Sequence, residues 1–279
     1  MSEIIKNDDY REMNKMIRAL FSRLFEDNAW IDGDFDIKSF QMENYYGHIF
    51  FFEFGGDKYV LKFDEGEAVR TEVLAGHFLR SVVCPAFHAA VGWIKDIFFE
   101  KYKFWAIITP RADAETLEKR LPFLSPEEFI AIYTQVIFAM EAASSVHFQH
   151  NDLHSGNVLV RTHPPRKITY GGRVVQTTIS PLIIDYGISS FVYEGVFYGD
   201  CTPYKFSITT EPYYPPRDLY YLINDVNTIS KKTNLSETCN KILAFFQLHD
   251  ENFKNNTNLP TLMDLYNYIV EMNFFINKC

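Results

Sequence analysis

The chain has 279 residues, of which 47% are apolar and 16% aromatic, and its formal net charge is −9 at pH 7. This apolar content excludes global disorder. The acidic balance argues against direct nucleic-acid binding, which needs a basic surface, and suits a basic protein or peptide as partner. The four cysteines, Cys84, Cys201, Cys239 and Cys279, lie far apart without a C-x-x-C pair, so neither a zinc site nor a disulfide framework is indicated.

Two features of the sequence predict the cellular location. Residues 1–27 carry too many charges for a secretory signal peptide, and no apolar run approaches the roughly 18 residues of a membrane span. Widely spaced cysteines fit a reducing compartment. We therefore expect an intracellular protein, cytoplasmic or nuclear or both, without a membrane partner.

The first part of the chain is predicted to be rich in strands. Apolar side chains recur at helical spacing over 9–26, which predicts an amphipathic helix within an N-terminal extension of residues 1–35. After it, further elements are predicted in chain order: strands at 50–54 and 59–63, a helix at about 66–80, and strands at 87–94 and 96–109. The turn between the first two strands is Gly55-Gly56.

A long helix is well marked in the middle of the chain. Ser125 can cap it, Pro126 suits its first turn and Glu128 completes an S-x-x-E capping box. An apolar stripe then runs to about Val146. The chain thus begins strand-rich and becomes helical, which is the order of an α+β fold with two lobes.

We expect one domain over residues 1–279. Its N-lobe, built on an antiparallel sheet, is predicted at 36–110, and its mainly helical C-lobe at 111–279.

Two polar motifs follow the long helix, each beside an apolar strand-like run. The first, from His150 to Asn157, fits H-x-D-L-x-x-x-N, and the second, which begins at Asp185, fits D-F-G with Tyr for Phe. In phosphoryl transfer from a magnesium nucleotide, one carboxylate orients the attacking hydroxyl, whereas an amide and a second carboxylate hold the metal. The motifs predict Asp152 as the catalytic base and Asn157 and Asp185 as ligands of Mg²⁺, with ATP in the cleft between the lobes. His150 is interpreted as structural.

A cation for the α- and β-phosphates is predicted at Lys62, which has the strand position of the lysine in V-A-I-K. Its acidic partner should lie on the following helix, where Glu72 is our choice and Glu67 the alternative. Glu65 lies too close to the strand.

Two further segments complete the predicted nucleotide site. The phosphate-covering loop is its weakest part, because only Gly47 survives in register with G-x-G-x-x-G, so cradling of the phosphates by backbone groups is weakened. Residues 109–112, including Thr109 and Arg111, are predicted to contact adenine through backbone groups. Asp113 is placed to reach the ribose or a basic substrate residue.

These motifs resemble the protein-kinase fold, and within it the haspin-like Ser/Thr kinases most closely. The catalytic loop is similar to the haspin loop, with His154 where most Ser/Thr kinases have lysine, and I-I-D-Y at 183–186 replaces D-F-G. An insertion at about 161–181 separates the two motifs, and its residues 168–175 are typical of a β-hairpin with a two-residue turn. Residues 217–222 resemble the family's short activation segment running into its next helix.

The resemblance also implies how the catalytic loop is held. Asp218 is expected to anchor the loop backbone, with Asp225 as a competing candidate. Asn151 replaces the arginine of H-R-D, so no cation is present there for a phosphorylated activation loop. An enzyme that is not switched on by phosphorylation of that loop is implied.

The activity implied by the resemblance is that of an ATP- and Mg²⁺-dependent protein Ser/Thr kinase, and the acidic balance favours a basic substrate such as a histone tail. Small-molecule phosphotransferases of the aminoglycoside or choline kinase type share the core motif and are one alternative. The insertion and residues 217–222 favour the protein kinase over them. A catalytically inert pseudokinase that serves as a binding module is the other alternative, motivated by the degenerate glycine loop. Retention of Lys62, Asp152, Asn157 and Asp185 opposes it.

Overall fold

The computed structural model describes most of the chain after residue 48, namely residues 49–54, 57–64, 66–79, 82, 84–99, 102–199, 213–231 and 233–276. Four sequence predictions lie outside the described residues: the helix at 9–26, Gly47, the Gly55-Gly56 turn and Glu65. The chain divides into two compact units. One holds the described part of Met1–Val69 together with Ala90–Ala112, and the other holds Arg70–Ala89 together with the described part of Asp113–Cys279.

The first unit is built on a four-stranded antiparallel sheet. Its strands are β1 (Ile49–Phe54), β2 (Asp57–Asp64), β3 (Gly92–Phe99) and β4 (Tyr102–Pro110), in the spatial order β1-β2-β4-β3. β2 therefore lies between β1 and β4, and Lys62 pairs with Ile49 on one side and Ile107 on the other. The strands predicted at 50–54 and 59–63 are confirmed within β1 and β2.

Helix α1 (Gly66–Leu79) follows β2, as the sequence predicted for about 66–80. Its residues from Arg70 onward belong to the second unit. Val69, Glu72 and Ala75 recur every three residues along it and are at most 7% exposed. Helical spacing therefore places Glu72 on the buried side of α1.

The second unit has helix α3 (Pro126–Ala143) at its core, preceded by the short β5 (Glu115–Thr116) and α2 (Leu117–Arg120). The predicted capping box is present. The N–H of Glu128 donates to the Ser125 hydroxyl at 3.2 Å, and the N–H of Ser125 donates to the Glu128 carboxylate at 2.9 Å. These bonds satisfy donors that the first helical turn leaves without intrahelical partners.

The apolarity of α3 corrects one expectation. The segment Pro126–Val146 has a mean hydropathy of 1.4 and is long enough to match a membrane span by length and composition. The expectation that no segment approaches this length was wrong. In the structure 56% of the apolar 18-residue window within this segment is buried, so its apolar side chains form part of the interior of the second unit.

A long hairpin covers one side of α3. It consists of β6 (Val158–Tyr170) and β7 (Arg173–Ile183), joined by the predicted two-residue turn at Gly171 and Gly172, both of which have positive φ. The predicted insertion at 161–181 is only part of this hairpin. The apolar runs beside the two motifs belong to the same pairing of β6 with β7, whose register is irregular only between Thr162 and Arg166.

The rest of the second unit is mainly helical. The small hairpin β8 (Phe191–Tyr193) and β9 (Val196–Tyr198) is followed, within the described residues, by the helices α4 (Pro216–Ile229), α5 (Leu235–Leu248), α6 (Asp250–Asn255) and α7 (Leu262–Ile276). Helix α4 starts at Pro216, one residue before the predicted 217–222 segment, and includes all of it. An antiparallel-sheet unit and a mainly helical unit confirm the predicted α+β class.

The strands predicted at 87–94 and 96–109 were partly wrong. The real strands are β3 and β4, and residues 84–91 form no regular strand. Instead, the N–H of His88 donates to the carbonyl of Ile183 at 3.1 Å, and the N–H of Ile183 donates to the carbonyl of Ala86. This segment bonds to the end of β7, a contact between distant residues that alternation along the chain does not reveal.

Candidate active site

The loop between α3 and β6 carries the first motif. Helix α3 runs into a 3-10 turn, Ser144–Val146, which ends at His147 with a left-handed φ of 49°. The chain then turns inward, and Phe148, Gln149 and His150 are fully buried. The loop therefore begins inside the unit, and its later residues return toward the surface.

Two carboxylates of α4 hold this loop. Asp218 accepts the backbone N–H groups of His150 at 2.7 Å and Asn151 at 2.9 Å. Asp225, seven residues on and therefore on the same face of the helix, accepts both the N–H (2.9 Å) and the hydroxyl (2.6 Å) of Ser155. Asp218 has the anchoring role that the resemblance implied, and Asp225 provides a second anchor on the same loop.

The environment of Asp218 sets its charge state. Burial raises the pKa of this carboxyl from its usual 3.8 to about 7, against the lowering effect of the two N–H donors and of Arg217. Its side chain is fully buried. Burying this carboxyl costs free energy, and in return its hydrogen bonds fix the backbone of the loop.

Asn157 links the two motifs. Its side-chain Nδ2 donates to the carbonyl of Asp152 at 3.0 Å, and its own carbonyl accepts the N–H of Ile184 at 3.1 Å. Ile184 immediately precedes Asp185. The structure thus brings together Asp152, Asn157 and the backbone leading into Asp185 through direct hydrogen bonds.

The Asp152 side chain is open to solvent, with 52% of its surface exposed, and its Oδ2 lies 3.9 Å from Nε2 of His154. The other ring nitrogen of His154 accepts the N–H of Gly156 at 3.1 Å. This contact assigns the proton of the neutral ring to Nε2, on the side of Asp152. An accessible carboxylate on a fixed loop is suited to accept a proton from a hydroxyl.

His150 supports the loop from below, as expected. Its Nε2 lies 2.9 Å from the carbonyl oxygen of Ile184, and its ring packs edge-on against Tyr186 with 5.8 Å between centroids. Burial lowers the pKa of this imidazole from 6.5 to about 4. A neutral histidine therefore joins the two motifs beneath the exposed carboxylate.

A hydrogen bond with His88 helps to hold the Asp185–Tyr186 turn in place. Asp185 has a φ of 66°, and Tyr186 is buried, with its hydroxyl accepting the N–H of His88 at 2.8 Å. Burial raises the pKa of Tyr186 well above its usual value, and the charges of Glu72 and Asp185 add to this. Glu72 therefore lies close to the second motif, whereas Glu67 is exposed in the first turn of α1.

The first unit contains the remaining nucleotide candidates except Asp113. The ammonium of Lys62 lies 3.5 Å from the Asp64 carboxylate, and Thr109 stands in β4 opposite Val60 of β2. Pairing of Lys62 with Glu72 and contact of Lys62 and Thr109 with a nucleotide stay predictions.

Arg111 is already engaged within the first unit. Its N–H donates to the carbonyl of Lys58 at 2.7 Å, and its guanidinium lies 4.4 Å from the centre of the Phe51 ring. The N–H of Arg111 is therefore not available to adenine, although its carbonyl group can still accept a hydrogen bond. Asp113 lies in the second unit and is exposed, and its role stays a prediction.

The residues fit a magnesium ion. Asn157 uses its Nδ2 in a bond to the loop, which leaves its amide oxygen as the ligating atom, and Asp185 supplies a carboxylate. Hard oxygen ligands of this kind suit Mg²⁺, which keeps several waters and takes few protein ligands besides phosphate oxygens. Among the described residues, no cluster of three or more His, Cys, Asp or Glu side chains is placed to hold a metal.

Several polar groups beside the first motif were not predicted from the sequence. Gln149, Ser190 and Tyr214 join Asn151 in a buried hydrogen-bonded network. None of them belongs to a motif, and Tyr214 is far from the loop along the chain. Only the folded arrangement identifies them.

Comparison with known proteins gives fold neighbours that are protein kinases. The Rad53 kinase domain with SCD2 aligns at 14% identity and a TM-score of 0.37, over 55% of this chain and 51% of that one. The kinase PK-1 of the Cydia pomonella granulovirus aligns at 16% identity and a TM-score of 0.46, over 77% and 74%. The chain thus spans about half the length of the Rad53 chain. No family model matches the sequence, and no curated protein matches it.

Proposed function

We propose that this protein is an ATP- and Mg²⁺-dependent protein kinase that phosphorylates Ser or Thr hydroxyls, similar to the haspin-like kinases. The observation that supports this most is the hydrogen-bonded connection of Asp152, Asn157 and the Asp185 turn. It joins the loop of the accessible Asp152, the Asn157 amide and the backbone that leads into Asp185 on one framework anchored by Asp218 and Asp225. Phosphoryl transfer requires little covalent chemistry from the protein and depends on such positioning.

In the proposed mechanism, Asp152 orients the acceptor hydroxyl and accepts its proton. Asn157 and Asp185 hold Mg²⁺, which when bound neutralises charge on the transferred phosphate. Lys62, paired with Glu72, binds the α- and β-phosphates. Each role follows from the residue type and its motif, and the half-exposed position of Asp152 gives a substrate access to the base.

The proposed substrate is a basic protein segment, because the chain carries a net charge of −9. The proposed location is inside the cell, in the cytoplasm or the nucleus, where both ATP and a reducing environment are present.

The test is phosphate transfer from labelled Mg-ATP to a panel of acceptors: histones, an acidic protein, choline and aminoglycosides. We expect incorporation into Ser or Thr of the basic protein, and at least a hundredfold loss in Asp152→Asn, on the scale of general-base catalysis. Asp250→Asn, which makes the same charge change at an exposed residue of α6, should keep full activity.

Two results would redirect the assignment. Turnover confined to choline or aminoglycosides would identify a small-molecule phosphotransferase. Absence of both transfer and thermal stabilisation by Mg-ATP would favour a pseudokinase that acts as a binding module.

A further inference from the structure

Asn151 lies at a junction that the proposed mechanism does not use. Its Nδ2 donates to the carbonyl of Ile188 at 3.0 Å and to the hydroxyl of Ser190 at 3.2 Å, while its Oδ1 accepts from Nε2 of Gln149 at 2.8 Å. Both N–H groups and the oxygen of the amide are thus engaged. The residue is 7% exposed, so these bonds form away from water.

Gln149 extends the same network to a second segment. Its side-chain oxygen accepts the N–H of Tyr214 at 2.7 Å, next to the start of α4. Its backbone exchanges two hydrogen bonds with Ser190, at 2.8 and 2.9 Å. Gln149 and Asn151, two residues apart, therefore bind both Ser190, which follows the Asp185 turn, and Tyr214, which precedes α4.

The backbone conformation at this position favours asparagine. Asn151 has a φ of 66°, in the left-handed region, where Asn is among the most tolerated non-glycine residues. Its backbone N–H donates to Asp218 at 2.9 Å, while its side-chain amide donates to Ser190. An arginine here would bring a buried positive charge that needs an anion as partner. The neutral amide needs none, because its partners are carbonyl, hydroxyl and amide groups.

We infer that Asn151 is a positioning residue that holds the Ile188–Ser190 segment against the catalytic loop through neutral hydrogen bonds. The kinetic part of this inference rests on the proposed function. The structural part does not, because hydrogen exchange reports on these bonds without a substrate.

The kinetic test uses Asn151→Gly, since glycine accepts the positive φ and removes only the side chain. We expect kcat to fall about tenfold, the scale of a lost buried hydrogen bond, while KM for Mg-ATP changes less than about twofold. Asn258→Gly, at an exposed residue with φ 47°, is the matched control and should leave kcat unchanged.

The structural test is hydrogen exchange at the amide of Ser190, which donates to the Gln149 carbonyl. Asn151→Gly should speed this exchange about tenfold, with no change at amides of α7. Ser190→Ala removes one acceptor of the Asn151 amide and leaves Asn151 in place, so it should give a smaller change in the same direction. This variant provides the test if Asn151→Gly does not fold.

Each outcome decides the inference. Unchanged exchange at Ser190 in both variants, or an unchanged kcat in Asn151→Gly, would overturn it. If the wild type transfers no phosphate to any acceptor, the proposed function fails. Faster exchange in the variants would still support the Asn151 contact.

Discussion

Asp185 and Asn151 share the same backbone torsion, a φ of 66°, at the two motifs of the candidate site. Non-glycine residues in this region store a small conformational cost, and they cluster where a side chain must point in one direction. Asp and Asn tolerate the conformation better than other residues. Replacing Asp by Asn at such a position therefore removes the negative charge without disturbing the turn.

From this we predict that Asp185→Asn loses most of the thermal stabilisation by Mg-ATP while its free energy of unfolding without ligand changes by less than about 1 kcal/mol. Thermal-shift titrations with Mg-ATP, and with ATP and a chelator, provide the measurement. Asp250→Asn is the charge-matched control. A full magnesium-dependent shift in Asp185→Asn would show that this carboxylate is not a metal ligand.

His150 predicts a dependence of stability on acid. Its pKa is about 4 in the folded protein and 6.5 in the unfolded chain, so the folded state keeps the ring neutral. The stabilisation is fully present above pH 6.5 and is lost as the pH falls toward 4, by about 3 kcal/mol in all. We expect His150→Gln, whose side-chain amide can still donate to Ile184, to lose less stability over that window than the wild type.

Denaturant unfolding at several pH values measures this difference. Asp218 acts in the opposite direction, because its raised pKa of about 7 makes the fold more stable as the pH falls from 7 toward 3.8. The wild type and His150→Gln both contain Asp218, so the difference between their stability profiles reports the contribution of the His150 imidazole alone. Parallel profiles for wild type and His150→Gln would refute the assignment of a neutral buried ring.

Among the elements, the β6–β7 hairpin depends on close packing at its turn. A Cβ added at Gly171 would lie 2.8 Å from Cβ of Ala142 on α3, whereas at Gly172 it would meet nothing within 4 Å. Both glycines have positive φ, which costs an alanine about 1 kcal/mol. We predict that Gly171→Ala destabilises the protein by about 1 kcal/mol more than Gly172→Ala because of the added overlap.

Chemical denaturation of the two variants provides the comparison, with Gly172→Ala as the control for backbone strain alone. Equal losses of stability would mean that the turn does not pack against α3 as closely as the structure shows.

Elements with local signals were predictable from the sequence. The Ser125–Glu128 capping box marks the start of α3, and Gly171-Gly172 marks the hairpin turn, because both use interactions between near neighbours in the chain. The first part of the strand predicted at 87–94 failed for the opposite reason. The N–H of His88 donates to the carbonyl of Ile183, and alternation along a sequence contains no information about so distant a partner.

The same limit applies to the site. Asp152, Asn157 and Asp185 could be identified because their spacing within each motif is short and specific. Asp225 could be named only as an alternative to Asp218, whereas both carboxylates hold the loop, and the network of Gln149, Ser190 and Tyr214 could not be identified, since these contacts exist only after α4 packs beneath the loop.

For the whole molecule, the net charge of −9 predicts how substrate selection responds to salt. Attraction between an acidic protein and a basic peptide is screened as ionic strength rises. We expect kcat/KM for a basic peptide to fall several-fold from low to high salt, while the same peptide with its basic residues replaced by glutamine changes little. Equal salt dependence for both peptides would remove the charge argument for a basic substrate.

The covering of α3 by the β6–β7 hairpin has a practical consequence for truncation. Tyr170 donates to Gln135 at 2.7 Å, Gln135 donates to the carbonyl of Ile179, and Arg173 lies over the Phe138 ring, so strands and helix are joined along much of their length. A shortened chain lacking these strands would expose to water a helix apolar enough to seek another hydrophobic surface. Such a chain would aggregate, and a minimal active fragment of this protein must therefore retain the hairpin even though none of its side chains takes part in the proposed chemistry.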